Sequence, residues 1–248
     1  MSVFIIATIS LIFFSFTFLQ KKNVNIYLIG GSTMAAYSGD ASPLTGWGMP
    51  FSMYFDSTVT VVNRAKSGAS TRTFIEEGLW QPIERDLNPG DYVFIHFAHN
   101  DEEPTKKSYT PPGNFKANLV RFINETRAKG ANPILLTPVG RRRFDDSGRI
   151  KETHGEYAAL ILAITAEYRV PCIDLNKKSQ ALYQSWGLTG SKFYFNYLAP
   201  GENPHFPQGN SDDTHFNELG ARKIAELVLA EFLKLKPEMA ERIYKPTE

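Results

Sequence analysis

After Lys22 the chain alternates short apolar runs with longer stretches of helical periodicity. Residues 24–29 stop at Gly30-Gly31, and the β-branched residues 59–62 stop at Asn63. Residues 92–97 are entered through Pro89-Gly90-Asp91, a turn signal. Residues 133–137 and 171–175 are similar runs. Short, mostly apolar runs bounded by breakers predict strands buried on both faces. Between them, residues 114–129 carry Phe115, Leu119, Phe122 and Ile123 at helical spacing, with Gly130 as a C-terminal stop. Residues 152–169 place Tyr157, Leu160, Ile161 and Ile164 on one stripe. Residues 217–235 repeat Ile224, Leu227, Val228, Phe232 and Leu235, and Pro237 lies beyond the end. Strand, helix, strand, helix in repetition predicts an α/β protein with a parallel sheet and right-handed crossovers. No repeat, low-complexity tract or linker follows residue 22, so residues 23–248 read as one domain.

The first 22 residues follow another pattern. Residues 1–20 contain no Asp, Glu, Lys, Arg or His, and 14 of them are apolar. With no polar face to show to water, a buried first helix is the weakest reading. The segment is expected to be an export signal, making the protein secreted or periplasmic, with an uncleaved anchor as the second choice. No basic residue precedes the apolar run and no small-residue cleavage site follows it. The other charges nearly cancel, 27 Lys+Arg against 26 Asp+Glu, which argues against a nucleic-acid footprint. The single cysteine, Cys172, cannot form an internal disulfide and reads as a small hydrophobe in an apolar strand. No metal-ligand spacing is present, so neither a metal nor another cofactor is expected. A monomer is favoured.

Open α/β sheets bind ligands beyond the carboxyl ends of their strands. Four polar stretches fall there: Gly30-Gly31-Ser32-Thr33-Met34, Ala65-Lys66-Ser67-Gly68-Ala69-Ser70, Phe97-Ala98-His99-Asn100-Asp101, and Asp212-Asp213-Thr214-His215-Phe216-Asn217 in the loop before the last helix. Each alone has a structural explanation: Ser32 as an N-cap, Gly68 as a turn glycine, Asn100 bonding its own backbone, Asp212 capping the last helix. Together they supply a nucleophile, a base, an orienting carboxylate and oxyanion donors. A serine hydroxyl needs a base to take its proton, and histidine with a carboxylate behind it suits that task. The Asp-x-x-His spacing lets Asp212 reach back to the His215 ring.

With these stretches quoted, the sequence resembles the SGNH (GDSL-like) hydrolases, named for a Ser, Gly, Asn and His in four blocks. Within them it is most similar to the rhamnogalacturonan acetylesterase group, through Ser-Thr-Met-Ala after the first strand, Ser-x-Arg-Thr-Phe after Gly68, and Thr-Pro-Val-x-Arg-Arg at residues 137–142. The resemblance covers roughly residues 24–235. It implies a flavodoxin-like, three-layer α/β/α sandwich on a five-stranded parallel sheet. It implies Ser32 as nucleophile, His215 as base, Asp212 as its partner, and Ser32, Gly68 and Asn100 as the oxyanion hole. Two positions depart from the family pattern: Gly31 replaces an Asp, and Ala98 replaces a Gly.

The implied substrate is an O-acetylated plant cell-wall polysaccharide or its oligosaccharides, pectic rhamnogalacturonan first. Arg141, Arg142 and Arg143 follow the fourth strand and could pair with galacturonate carboxylates, although a solvated loop explains them as well. Tyr37, Trp47 and Trp80 could stack on sugars, although aromatics near a sheet end are more often core. His99 reads as a structural hydrogen-bonding residue. Two alternatives stay open: an esterase or lipase of the same fold acting on other acyl esters, and a non-catalytic glycan-binding relative.

Overall fold

The computed structural model describes residues 22–246. The expectations for the N-terminal segment therefore lie outside the described residues. Five strands, β1 (Val24–Gly30), β2 (Val59–Asn63), β3 (Tyr92–His96), β4 (Asn132–Leu136) and β5 (Cys172–Ile173), form one sheet. Their order is β2-β1-β3-β4-β5, and every neighbouring pair is parallel. This is the flavodoxin-like order, whose topological switch point lies between β1 and β3.

The apolar runs are strands because both their faces are covered. In β1, Ile26 and Leu28 enter one core, while Tyr27 and Ile29 enter the other. In β3 the same alternation sends Tyr92 and Phe94 one way, Val93 and Ile95 the other. The first face is packed by Phe51 of α1 (Gly48–Phe51), by Leu175 and Tyr183 of α6 (Leu175–Gly190), and by Ile224, Val228 and Phe232 of α7 (Glu218–Leu235). The second is packed by α2 (Thr71–Glu76), α3 (Trp80–Asp86), α4 (Pro112–Ala128) and α5 (Gly155–Tyr168), through residues such as Phe74, Ile83, Phe122 and Ile161. The result is three layers, α/β/α. Fully burying one such aliphatic or aromatic side chain contributes about 1.5–3 kcal/mol, so these paired faces dominate the stability.

Three elements differ from the sequence expectation. The run at residues 171–175 contributes only Cys172–Ile173 to the sheet, because Asp174 caps α6 by accepting from the Lys177 N–H at 3.3 Å. Helix α6 escapes a hydrophobic-pattern reading because two of its buried residues, Asn176 and Ser179, are polar. The stretch expected as a loop before the last helix is a strand, β7 (Asn210–Phe216), paired antiparallel with β6 (Phe195–Leu198). Its sequence, Asn-Ser-Asp-Asp-Thr-His-Phe, carries almost no apolar alternation, so pairing rather than burial makes it a strand.

Cys172 is a free thiol, as a chain with one cysteine requires. Burial pushes it up to about 11, so it stays neutral and packs as an apolar group.

Candidate active site

The four polar stretches converge at the carboxyl end of the sheet. Ser32 follows β1, Gly68 follows β2, and Asn100 follows β3. Ser32 and Asn100 thus flank the switch point. His215 and Asp212 arrive on β7, which is held by what comes after it. Asn217 caps α7 by accepting from the Gly220 N–H at 3.0 Å, and its side-chain amide donates to the Phe193 and Phe195 carbonyls. Phe216 is buried in the core. His215 is thereby fixed between an anchored ring and a capped helix.

The hydrogen bonds run in one chain. Ser32 Oγ lies 3.0 Å from His215 Nε2, and His215 Nδ1 lies 2.8 Å from Asp212 Oδ2. A carboxylate only accepts, so Nδ1 carries the proton and Nε2 presents its lone pair to the serine hydroxyl. Asp212 Oδ1 accepts from the Thr214 N–H at 2.7 Å and the His215 N–H at 2.9 Å, which leaves the carboxylate no freedom to turn. Burial pulls the Asp212 carboxyl up, but the bonds from the His215 ring and backbone outweigh it and hold the group below the usual carboxylate range. The arrangement can take a proton from Ser32 and stabilise the resulting imidazolium. Tyr37 donates its hydroxyl to the Ser32 carbonyl at 3.0 Å and steadies the turn.

Three candidate donors lie in the loops that follow β1, β2 and β3. Among the described residues, the N–H groups of Ser32 and Gly68 meet no protein acceptor. Gly68 has φ +80°, a backbone region that side chains disfavour, and a Cβ there would point into open space. Asn100 is buried, and its Nδ2 donates to the Ala69 carbonyl at 3.1 Å. One amide hydrogen is thus committed to the Gly68 loop and the other is left for a ligand. Asp101 clips the same loops together: its Oδ1 accepts from the Thr71 N–H at 2.8 Å and the Thr71 hydroxyl at 2.6 Å. Donors waiting for a charge that develops only during reaction are what an oxyanion hole requires.

The two departures from the family pattern have local explanations. At Gly31 a Cβ would stand 3.3 Å from Asn100 Nδ2 and 3.4 Å from the Ala69 carbonyl, so the glycine lets three blocks close up tightly. Ala98 has φ +124°, a strained value for alanine, so the loop keeps a glycine-like backbone without the glycine. Its methyl group is buried in the apolar cluster with Phe74 and Phe97, away from solvent.

The expected sugar-contacting residues are corrected by the structure. Trp47 and Trp80 are completely buried. The Trp47 indole N–H points to His96 Nδ1 at 3.3 Å, and Trp80 donates to Glu125 and packs edge-on against Phe122. Arg142 is also buried: its guanidinium donates to Asp213 Oδ1 at 2.7 Å, the Leu188 carbonyl at 2.8 Å and the Tyr197 hydroxyl at 2.9 Å. Arg141 is committed to Glu102 at 2.6 Å. Neither guanidinium is free to take a substrate carboxylate. Arg142 instead braces β7 beside Asp212, a role the sequence signalled only through the Asp212-Asp213 doublet. His99 is not the hydrogen-bonding residue expected: its Nε2 is buried without a partner, and the ring packs edge-on against His154 at 4.4 Å. Among the described residues no cluster of His, Cys, Asp or Glu could hold a metal ion.

This chain is similar to proteins of known type along most of its length. It is 42% identical over 210 residues to the rhamnogalacturonan acetylesterase RhgT of Bacillus subtilis, covering 85% of this chain and 90% of that protein. It is 44% identical over 227 residues to a rhamnogalacturonan acetylesterase of Emericella nidulans, covering 82% of each. The crystal structure of Bacillus subtilis YxiM superposes with a TM-score of 0.74 at 32% identity, over 87% of this chain and 57% of that one, so the present chain spans little more than half of YxiM. The acetylxylan esterase Axe2 of Geobacillus stearothermophilus shares the fold, with a TM-score of 0.53 at 17% identity over 86% of this chain and 94% of that one. The model of the GDSL-like lipase/acylhydrolase family matches residues 28–223, and it is to this family that the chain belongs.

Proposed function

We propose that the protein is a serine carbohydrate O-acetylesterase that removes acetyl groups from plant cell-wall polysaccharide, pectic rhamnogalacturonan first, and so serves pectin degradation. The observation that carries the reading is the continuous chain from Ser32 Oγ through the His215 ring to Asp212, at 3.0 and 2.8 Å. The substrate class is supported by the relatives named for rhamnogalacturonan acetyl esters.

In the proposed mechanism Ser32 Oγ attacks the acetyl carbonyl carbon while His215 Nε2 takes the hydroxyl proton. The carbonyl oxygen becomes an oxyanion and is received by the N–H groups of Ser32 and Gly68 and the Asn100 amide. Asp212 stabilises the imidazolium. The imidazolium gives its proton to the departing sugar oxygen, leaving acetyl-serine and a free sugar hydroxyl. Water, deprotonated by His215, then attacks the acetyl-enzyme; the bond between Ser32 Oγ and the acyl carbon breaks, acetate leaves, and the imidazolium returns the proton to Ser32 Oγ. Export is part of the proposal, since a polymer too large to enter a cell must be met outside it. N-terminal sequencing of the mature protein tests that part, and an intact Met1 in a cytoplasmic fraction would count against it.

The experiment for the activity is acetate release from a panel of acetylated polysaccharides, with Ser32→Ala as control. Release from acetylated rhamnogalacturonan that Ser32→Ala abolishes is the expected result. A preference for long-chain acyl esters would favour a lipase-like reading. Glycan binding without turnover would favour a non-catalytic one.

A further inference from the structure

Beside the oxyanion donors, one cleft collects positive charge. It encloses about 440 Å3, and Gly68 and Asn100 form part of its wall. Lys66, Lys106 and Lys107 line it against a single carboxylate, Glu77, which Lys66 already engages. The Lys106 ammonium reaches Asn100 Oδ1 at 3.4 Å and meets no carboxylate, and the Lys107 ammonium has no acidic partner among the described residues. Lys107 therefore stands beside the site without an acidic partner, while Lys106 faces the Glu103 side of the loop at longer range. The chain as a whole is balanced, at a net +1, so this excess is local.

Other clefts lack the excess. The one across Lys106 sets Glu102, Glu103 and Glu156 against Lys106, Arg141 and Arg143. The one beyond Tyr37 has Glu218 and no lysine or arginine in its wall.

The backbone that presents Lys106 and Lys107 is tied to the oxyanion loops. Arg72, on α2, donates to the Lys107 carbonyl and, at 3.3 Å, to the Tyr109 carbonyl. Ser108 donates its hydroxyl to the Asn100 carbonyl at 3.2 Å, and the Thr110 N–H donates to the Asp101 carbonyl at 2.9 Å. The backbone of this segment is thus placed relative to Asn100 by the fold, and the lysine side chains reach from it into water.

We propose that this cleft is a carboxylate subsite, which receives a uronate carboxylate from the acetylated sugar or its neighbour. The inference rests on the acetylesterase reading and specifies how that site selects its substrate. An acetyl carbonyl seated against Gly68 and Asn100 brings its own sugar or the neighbouring one over this wall. A carboxylate arriving there finds the Lys107 ammonium, which no acid within salt-bridge distance engages among the described residues, with the Lys106 ammonium beside it. Neutral acetylated glycans gain nothing from them. Solvent-exposed pairs are individually weak, so the expected selectivity is about three- to tenfold and depends on salt.

The test compares acetate release from O-acetylated rhamnogalacturonan oligosaccharides with release from the same oligosaccharides after their uronates are reduced to neutral hexoses, at matched acetyl content. For the wild-type enzyme at low ionic strength, kcat/KM should favour the uronate substrate by about three- to tenfold, and about 0.5 M salt should shrink that preference. The Lys107→Glu variant should lower the ratio at least threefold, chiefly through KM on the uronate substrate. Because each variant is read as a ratio of two substrates, a partly folded preparation gives the same answer. Equal kcat/KM on both substrates, or an unchanged ratio in Lys107→Glu, overturns the subsite and leaves the acetylesterase reading standing. No release from either oligosaccharide, with a small acetyl ester still hydrolysed, overturns the polysaccharide reading and the subsite with it.

Discussion

The hydroxyl of Ser32 and the Nε2 of His215 stand 3.0 Å apart, although 183 positions separate the two residues in the chain. Each is delivered by a different device. Ser32 leaves the end of a strand buried on both faces, whereas His215 rides an antiparallel hairpin outside the main sheet. Reactivity therefore depends on how firmly the hairpin is held.

Asp212 is the first test of that dependence. In Asp212→Asn the side-chain amide can turn its NH2 toward Nδ1 and favour the tautomer with the proton on Nε2, where it cannot accept from Ser32. We expect kcat on a small acetyl ester to fall roughly 10²–10⁴-fold with folding intact. A loss of less than tenfold would show that the carboxylate is not needed to orient the ring.

Arg142 offers a test from behind the strand. Its guanidinium pairs with Asp213, one residue from Asp212, and also holds Tyr197 of β6. Arg142→Ala removes the closest cation from Asp213, which keeps the Tyr197 hydroxyl and the more distant Arg143, and should cost about 1.5–3 kcal/mol of stability. Arg142→Lys keeps the charge but cannot make the three-way fork, so it should fall between the two. Denaturant melts of the three proteins check this order. An Arg142→Ala protein as stable as the wild type would refute the bracing role.

Ala98 should behave unlike other buried alanines. At φ +124° the residue carries strain of about 1–3 kcal/mol that glycine would not. Ala98→Gly loses a buried methyl, worth roughly 0.8 kcal/mol, and gains backbone freedom when unfolded, worth roughly 0.5–1 kcal/mol. The terms nearly offset, so the variant should lie within about 1 kcal/mol of wild type. Ala225→Gly, in the helical interior of α7, has no strain to relieve and should cost about 2 kcal/mol. Equal losses at the two sites would argue against strain at Ala98.

Acid should destabilise the fold through buried histidines. Burial, aided by the neighbouring His154, pushes His96 down to about 3, and His99 also lies well below its ordinary value through burial and nearby positive groups. An unfolded histidine binds its proton near pH 6.5, so between about 3 and 6.5 the unfolded chain holds a proton that native His96 does not. Stability must then rise with pH across this window, by up to about 1.4 kcal/mol per pH unit for each such group. Melting temperatures of wild type and His96→Gln from pH 4 to 6.5 provide the check. The variant should have a lower melting temperature but a shallower slope, because it lacks one titrating ring. Parallel slopes would exclude His96 as a source of the acid lability.

The sequence by itself determined the layering and the candidate residues of the site. Strands such as β1 and β3 are buried on both faces, which leaves a run of apolar residues that no other element explains well. Helices α4, α5 and α7 each bury one face and were legible by their stripe. The four blocks named Ser32, Gly68, Asn100, Asp212 and His215 because their residue types carry chemistry and fall at strand ends. Only the tertiary structure decided the rest. β7 has no apolar alternation, because its strand form comes from pairing with β6. For Trp47, Trp80, Arg141 and Arg142 the sequence left sugar contact open beside core or loop roles, and the structure decides: the two indoles are core and the two guanidiniums have internal acids. Arg142 meets Asp213 across 71 positions, a distance at which sequence spacing carries no record of contact. The physical reason is that burial imprints a local periodicity on a sequence. Pairing between remote polar groups imprints none, and it exists only once the chain has folded.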